Sequence, residues 1–253
     1  DGLCVKKTVL NESVWTKIPR GTSDWNNYMS YYDSCYAMQD GNLILRGIAN
    51  HTQKNDTAPY LTGGVYTKGK KLFTGGRVEV CARLQAAKGA WPAIWMLPEK
   101  AEWPKGGEID IMERLNHDRI AYQTTHSYYT HILGIKDNPP HGGINKINPE
   151  EYNIYSVDIY PDSLVFAVNH RHTYTYPRID TDKEGHVPFL STLLFIDRYA
   201  VGWLMGWCCG SERVACGNVG GLGEVLRETL NAVCRETGGC SMLGSPPFCL
   251  IIR

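Results

Sequence analysis

Three acids fall within six residues in the run Gly106-Gly107-Glu108-Ile109-Asp110-Ile111-Met112-Glu113, interleaved with residues that favour strands. Side chains alternate between the faces of a strand, so Glu108 and Asp110 share one face. Glu113 falls on the opposite face of a regular strand, and joins them only where a β-bulge inserts one residue between Asp110 and Glu113. With that bulge the segment carries the parts for hydrolysing a glycosidic bond with retention. The reaction needs a nucleophilic carboxylate and a protonated carboxylic acid about 5 Å apart, flanking the scissile bond. Repulsion among three acids raises at least one pKa, and Asp110 is placed to share a proton with the nucleophile.

A bare E-x-D run is more often the solvated face of an amphipathic strand than a reactive site. Here the neighbouring residues point to chemistry. Upstream lies Gly89-Ala90-Trp91-Pro92-Ala93-Ile94-Trp95-Met96-Leu97-Pro98, and Trp103 stands close before the acids. Sugars offer flat C–H faces to aromatic rings, so tryptophans beside paired carboxylates suit a polysaccharide cleft. Trp91 and Trp103 are expected to face it. Trp95, between Ile94 and Met96 in an apolar run, reads either as a cleft residue or as core.

The elements that must position these residues are strands. Short β-rich runs bounded by turn residues recur at 41–47, 76–84, 107–113, 152–160 and 163–169, the pattern of an antiparallel sandwich. In the run 152–160, Tyr155, Val157 and Ile159 alternate with Ile154, Ser156, Asp158 and Tyr160, and Pro161-Asp162 marks a hairpin turn.

Together these segments resemble glycoside hydrolase family 16, in particular its laminarinase and lichenase-like members. The resemblance rests on E-I-D-I-M-E, on G-x-W-P-A-x-W-M-L-P at 89–98, on Thr125-His126-Ser127 and on the hairpin around 155–169, and it spans roughly residues 25–185. It implies an all-β jelly-roll sandwich of two antiparallel sheets with a concave substrate cleft. In the family's pattern Glu108 is the nucleophile, Asp110 assists it, and Glu113 is the acid/base; two residues between Asp and the last Glu mark the bulged subgroup. His126 matches a histidine near the nucleophile and the bound sugar, although a histidine in a tyrosine-rich strand is by itself more often structural. Asn26 or Asn27 corresponds to a sugar-binding asparagine. Glu79 is carried over as substrate-binding, while the arginine that relatives place two residues later is replaced by Cys81. The implied activity is endo-acting cleavage of β-1,3- or mixed-linkage β-1,3/1,4-glucan. No redox cofactor or catalytic metal is implied, and the resemblance leaves room for a structural Ca²⁺.

The whole chain sets the remaining bounds. Its 253 residues suffice for one large domain. Lys and Arg number 26, as do Asp and Glu, so no net field draws the chain to nucleic acid or an anionic membrane surface, and the expected partner is a neutral polysaccharide. No apolar run reaches the ~18 residues of a membrane span. A monomer in a secreted, periplasmic or cell-surface setting is expected. Of nine cysteines only Cys4, Cys35 and Cys81 precede residue 186, a weak basis for disulfides, and Cys81 reads as a buried thiol.

After Gly185 the family pattern stops and the composition turns rich in Cys, Gly and isolated Trp. The genetic code suggests why. Removing the third base of the His186 codon makes the next codon Gln, and in the shifted frame Trp203-Leu204, Met205-Gly206 and Trp207-Cys208 must read Gly, Trp and Gly, the family's G-x-W-x-G. Val214 to Arg227 permits the usual last strand in the same frame. Residues 1–185 are therefore expected to form the catalytic domain, with 186–253 an out-of-frame tail in place of the closing strands; a divergent tail with a helix over 223–233 is the alternative. Two other functions fit parts of the chain. One is a hydrolase of an algal galactan such as agarose or porphyran; the other is a non-catalytic carbohydrate-binding module, against which the three acids argue.

Overall fold

The computed structural model describes residues 10–187, together with the backbone of 193–201 and 248–252. The described strands form two antiparallel sheets packed face to face. One sheet runs in the order β1 (Thr16–Lys17), β5 (Gly64–Tyr66), β15 (Leu193–Val201), β8 (Ala90–Pro98), β9 (Glu108–Glu113), β10 (Ile120–His126), β11 (Gly142–Lys146), with β6 (Leu72–Phe73) also paired to β15. The other runs β14 (Arg171–Pro177), β13 (Ser163–Val168), β12 (Asn153–Ile159), β7 (Gly76–Leu84), β16 (Phe248–Ile252), β3 (Asn42–Ala49), β2 (Tyr36–Gln39), with β4 (Tyr60–Thr62) on β3.

The expected strands are present, and their alternation builds the core. Val78, Val80, Tyr155, Val157 and Phe166 of the second sheet meet Ile94, Met96, Ile109, Ile111 and Met112 of the first in one cluster. Each such side chain, fully buried, contributes about 1.5–3 kcal/mol. The predicted hairpin is β12–β13, with Tyr155 paired to Val168 and Ile159 to Leu164.

The first sheet is covered on part of its outer face as well. Ile18, Met29, Ala93 and Trp95 form a second cluster, with Trp25, Tyr66, Leu72 and Leu97 against it. Strand β8 is therefore buried on both sides, which explains why its sequence is almost wholly apolar.

The sequence reading leaves the sandwich without closing strands, yet the backbone of two segments beyond Gly185 lies inside the sheets. Strand β15 pairs with β8 from Leu193↔Pro98 to Val201↔Ala90, and β16 pairs with both β3 and β7. LLFIDRYAV and FCLII are rich in branched and aromatic residues, which favour strands. The candidate strand over 214–227 and the alternative helix over 223–233 lie outside the described residues. Cys35 is a buried thiol whose pKa burial pushes up to about 12; Cys81 is half-exposed rather than buried, and Cys4 lies outside the described residues.

Candidate active site

The bulge required by the spacing of the acids is present. On one side of β9, Ile94 pairs with Met112 and Trp95 with Asp110, so the ladder passes over Ile111. On the other, Tyr122 pairs with Glu113 and Thr124 with Asp110, so two residues of β9 stand against Gln123. Ile111 and Met112 both enter the core, and the chain regains the outer face at Glu113. Gly107, at φ +80°, turns the backbone into the strand through a conformation that side chains with a Cβ rarely adopt.

The two glutamates have parallel surroundings. Trp103 Nε1 donates to Glu108 Oε2 at 2.6 Å, and Trp91 Nε1 donates to Glu113 Oε1 at 2.7 Å. Both tryptophans stand at the site, as the sequence suggested, but each also supplies an N–H to a carboxylate. Trp103 is 48% exposed, so its ring stays available to a sugar. Trp95 is 4% exposed and meets Trp25 edge-on at 5.1 Å, so it forms part of the wall beneath the cleft rather than a surface for stacking.

Asp110 is buried between the glutamates, and His126 Nε2 lies 3.3 Å from Asp110 Oδ2. Burial first, then the charge of Asp110, pushes the Glu108 carboxyl well above the ordinary carboxylate range; His126 opposes that shift, and Asp110 and Glu113 reinforce it. The indole N–H of Trp103 favours the ionised form, as hydrogen bonds to an anion do.

Two histidines that the sequence reading did not single out join the group. His131 meets Trp103 at 4.5 Å and His126 at 6.4 Å, and His141 lies 6.3 Å from His126. Burial, with His126 and Lys136 nearby, holds both below the usual imidazole pKa. His131 is placed by a single wide helical turn, Tyr128–Ile132, capped reciprocally by Ser127 and Thr130. The S-x-x-T spacing after His126 was the signal that could have found it.

Asn26 spends its side chain locally, accepting from the Ser23 N–H at 3.1 Å. Asn27 has a buried Oδ1 with no hydrogen-bond partner among the described residues, so of the two it is the one whose amide is uncommitted at that atom. Glu79 is not brought to this face. Its strand, β7, belongs to the second sheet, Val78 and Val80 take the inward positions, and Glu79 points outward to Arg77 at 3.1 Å. Cys81 shares that outward parity, so neither it nor Glu79 adjoins the acids.

Among the described residues, one group of three His, Cys, Asp or Glu side chains has metal-ligand spacing: Glu108, Asp110 and His126, with ligand atoms within 4.8 Å of one another. Two carboxylates and an imidazole do not fit the cage of six to eight oxygens that Ca²⁺ takes.

A sequence profile described as the XgeA-like, catalytic GH16 domain matches residues 31–150. A glucan endo-1,3-beta-glucosidase from Cryptopygus antarcticus is 33% identical over 202 residues, covering 72% of this chain and 73% of that protein. The chain belongs to glycoside hydrolase family 16. A second family relative, a keratan-sulfate endo-1,4-beta-galactosidase from Sphingobacterium multivorum, is 37% identical over 203 residues, covering 78% of this chain and 47% of that protein. The chain spans about half the length of the curated relatives it first matches. The laminarinase structure from Rhodothermus marinus superposes with a TM-score of 0.71 at 22% identity, covering 97% of this chain and 91% of that one, and establishes the jelly-roll fold. Family members of this kind typically need no cofactor.

Proposed function

We propose that the chain is an endo-acting, retaining glycosidase that cleaves β-1,3- or mixed-linkage β-1,3/1,4-glucan. The observation that carries this reading is the bulge at Ile111, which returns Glu113 to the face holding Glu108 and Asp110. In the first step Glu108 attacks the anomeric carbon while protonated Glu113 gives its proton to the leaving oxygen. In the second, Glu113 takes a proton from water, which displaces Glu108 and leaves the anomeric configuration unchanged. Asp110, with His126 on its Oδ2, stands beside the nucleophile to accept or return a shared proton. A non-catalytic binding module would not need two glutamates each fixed by an indole N–H.

The relatives support glucan as the substrate: the Cryptopygus protein is a glucan endo-1,3-beta-glucosidase and the superposed structure a laminarinase. The Sphingobacterium relative favours a second reading, hydrolysis of a β-galactan, within the same mechanism. Product analysis on laminarin, lichenan, agarose and keratan sulfate separates them. Glucose oligosaccharides of retained configuration support the first reading, and release of galactan fragments alone overturns it.

A polymeric glycan substrate also supports a secreted, periplasmic or cell-surface location, and we keep a monomer as the proposed state. No helix among the described residues is long and apolar enough to cross a membrane. We retain the proposal that 186–253 follow a frame change at His186; coding DNA without codons compatible with the second frame would overturn it.

A further inference from the structure

We propose that Gln123 is a positioning residue for Glu113: its buried side-chain amide holds the extra residue of the β9 bulge, and so holds the acid/base on the cleft face. The inference rests on the reading of Glu108 and Glu113 as nucleophile and acid/base.

Inserting a residue into a strand takes backbone groups out of the ladder, and buried ones must find other partners. Gln123 stands on β10 opposite the two residues, Ile111 and Met112, that oppose it across the bulge. Alternation along β10 sends Ala121, Gln123 and Thr125 inward, and all three are fully buried. Gln123 Nε2 donates to the Ile111 carbonyl at 2.7 Å and to the Ala167 carbonyl at 3.3 Å. Ala167 lies on β13 in the facing sheet, where that strand also changes register: Phe166 pairs with Tyr174 but Ala167 with His172, leaving Thr173 as the extra residue. One amide thus ties an irregularity in the catalytic sheet to an irregularity in the sheet behind it. Thr125, the next inward residue, adds a second polar link to that sheet through Tyr174, at 2.8 Å between hydroxyls.

The orientation of the amide follows from its surroundings, since the reverse arrangement would aim Oε1 at two carbonyl oxygens. Oε1 itself is buried with no hydrogen-bond partner among the described residues. Leaving such a group unmet is destabilising, so packing alone would be better served by Met or Leu. What the amide supplies is a donor to Ile111, two residues before Glu113. Without that donor the bulge gains by shifting its extra residue along the strand, and any such shift moves or turns Glu113.

The test is Gln123→Met, close in size but without the donor, with melting followed alongside kinetics. Misplacement of a catalytic group by about 1 Å costs up to roughly 100-fold. The variant is expected to lose about 10–100-fold in kcat on polysaccharide with KM changed less than about threefold. The loss is expected to be smaller on aryl glycosides whose leaving groups need no protonation. Azide, which attacks the glycosyl-enzyme without base help, forming the glycosyl azide and releasing the Glu108 carboxylate, is expected to speed the variant and not the wild type. A folded variant with wild-type kcat, or one with an equal loss on every leaving group and no azide response, overturns the role. If the variant does not fold, exchange of the Gln123 side-chain amide protons in the wild type decides: slow exchange supports the clamp, and exchange at the rate of an exposed amide overturns it. A wild type without turnover on any glycan or aryl glycoside removes the underlying reading of the two glutamates, whereas an active wild type with an unaffected variant removes only Gln123.

Discussion

Trp103 donates its indole N–H to Oε2 of Glu108 at 2.6 Å while its ring packs against His131 at 4.5 Å, so one exposed side chain both borders the acids and holds Glu108, the proposed nucleophile. Trp103→Phe keeps a ring and removes the donor. A hydrogen bond to a carboxylate favours its ionised form, so losing it raises the Glu108 pKa further and the acidic limb of the kcat/KM profile moves to higher pH. The expected fall in kcat is about tenfold, comparable with the loss of a charge-assisted hydrogen bond. An unchanged acidic limb in a pH–rate profile would assign Trp103 to sugar stacking alone.

Glu108→Gln and Glu113→Gln should each lower kcat by about 10³-fold or more, since both steps depend on the pair. They should differ in one respect. Azide restores turnover of an activated aryl glycoside to a variant lacking the acid/base side chain, Glu113→Ala, but not to Glu108→Gln, which forms no glycosyl-enzyme. The configuration of the azide product checks the assignment: Glu113→Ala should give the glycosyl azide of retained configuration, and an inverted azide from that variant would exchange the two assignments.

The same Glu108→Gln change should stabilise the fold at neutral pH. Burial and the neighbouring acids raise the Glu108 pKa in the folded chain, so between its unfolded and folded pKa values the native state binds more protons. Stability then falls as pH rises through that window and is fully present below the unfolded value. Replacing the group by a neutral amide removes the penalty. A gain of about 1 kcal/mol, or roughly 2–4 °C in Tm, is expected near neutral pH, shrinking below about pH 4. Thermal melts at both pH values check this, and a variant less stable at neutral pH counts against it.

Glu79→Ala should leave kcat/KM within about twofold, because the side chain lies on the outer face of the second sheet, bonded to Arg77. Steady-state kinetics on the preferred glycan suffice. A loss above about tenfold with the fold intact would show that this face meets substrate after all.

How much of this was legible in sequence differs from residue to residue. Parity along E-I-D-I-M-E by itself requires a bulge, and the two ladders agree on its place. The strands follow from alternation, a local property. Glu79 failed for the complementary reason: its motif was read along the chain, whereas the sheet it joins depends on pairing with β12 and β16, which no local pattern encodes. Trp91 and Trp103 were found by their type but not by their N–H groups, because the direction of an indole depends on the turn that carries it. Gln123 gave no signal at all. A glutamine in a half-polar strand looks solvated, and only the fold shows that alternation drives it inward beneath the bulge.

The placement of β16 also bears on how the chain comes to be folded. Phe248–Ile252 sits between β3 and β7, whose residues are made some 170 to 200 positions earlier. During translation those two strands leave the ribosome with facing edges that have no partner until Phe248–Ile252 emerges. Closing so long a loop is slow, and unpaired edges invite pairing with other chains. Yield of active protein from a cell should therefore depend on chaperone supply and temperature more steeply than the stability of the finished sandwich would suggest.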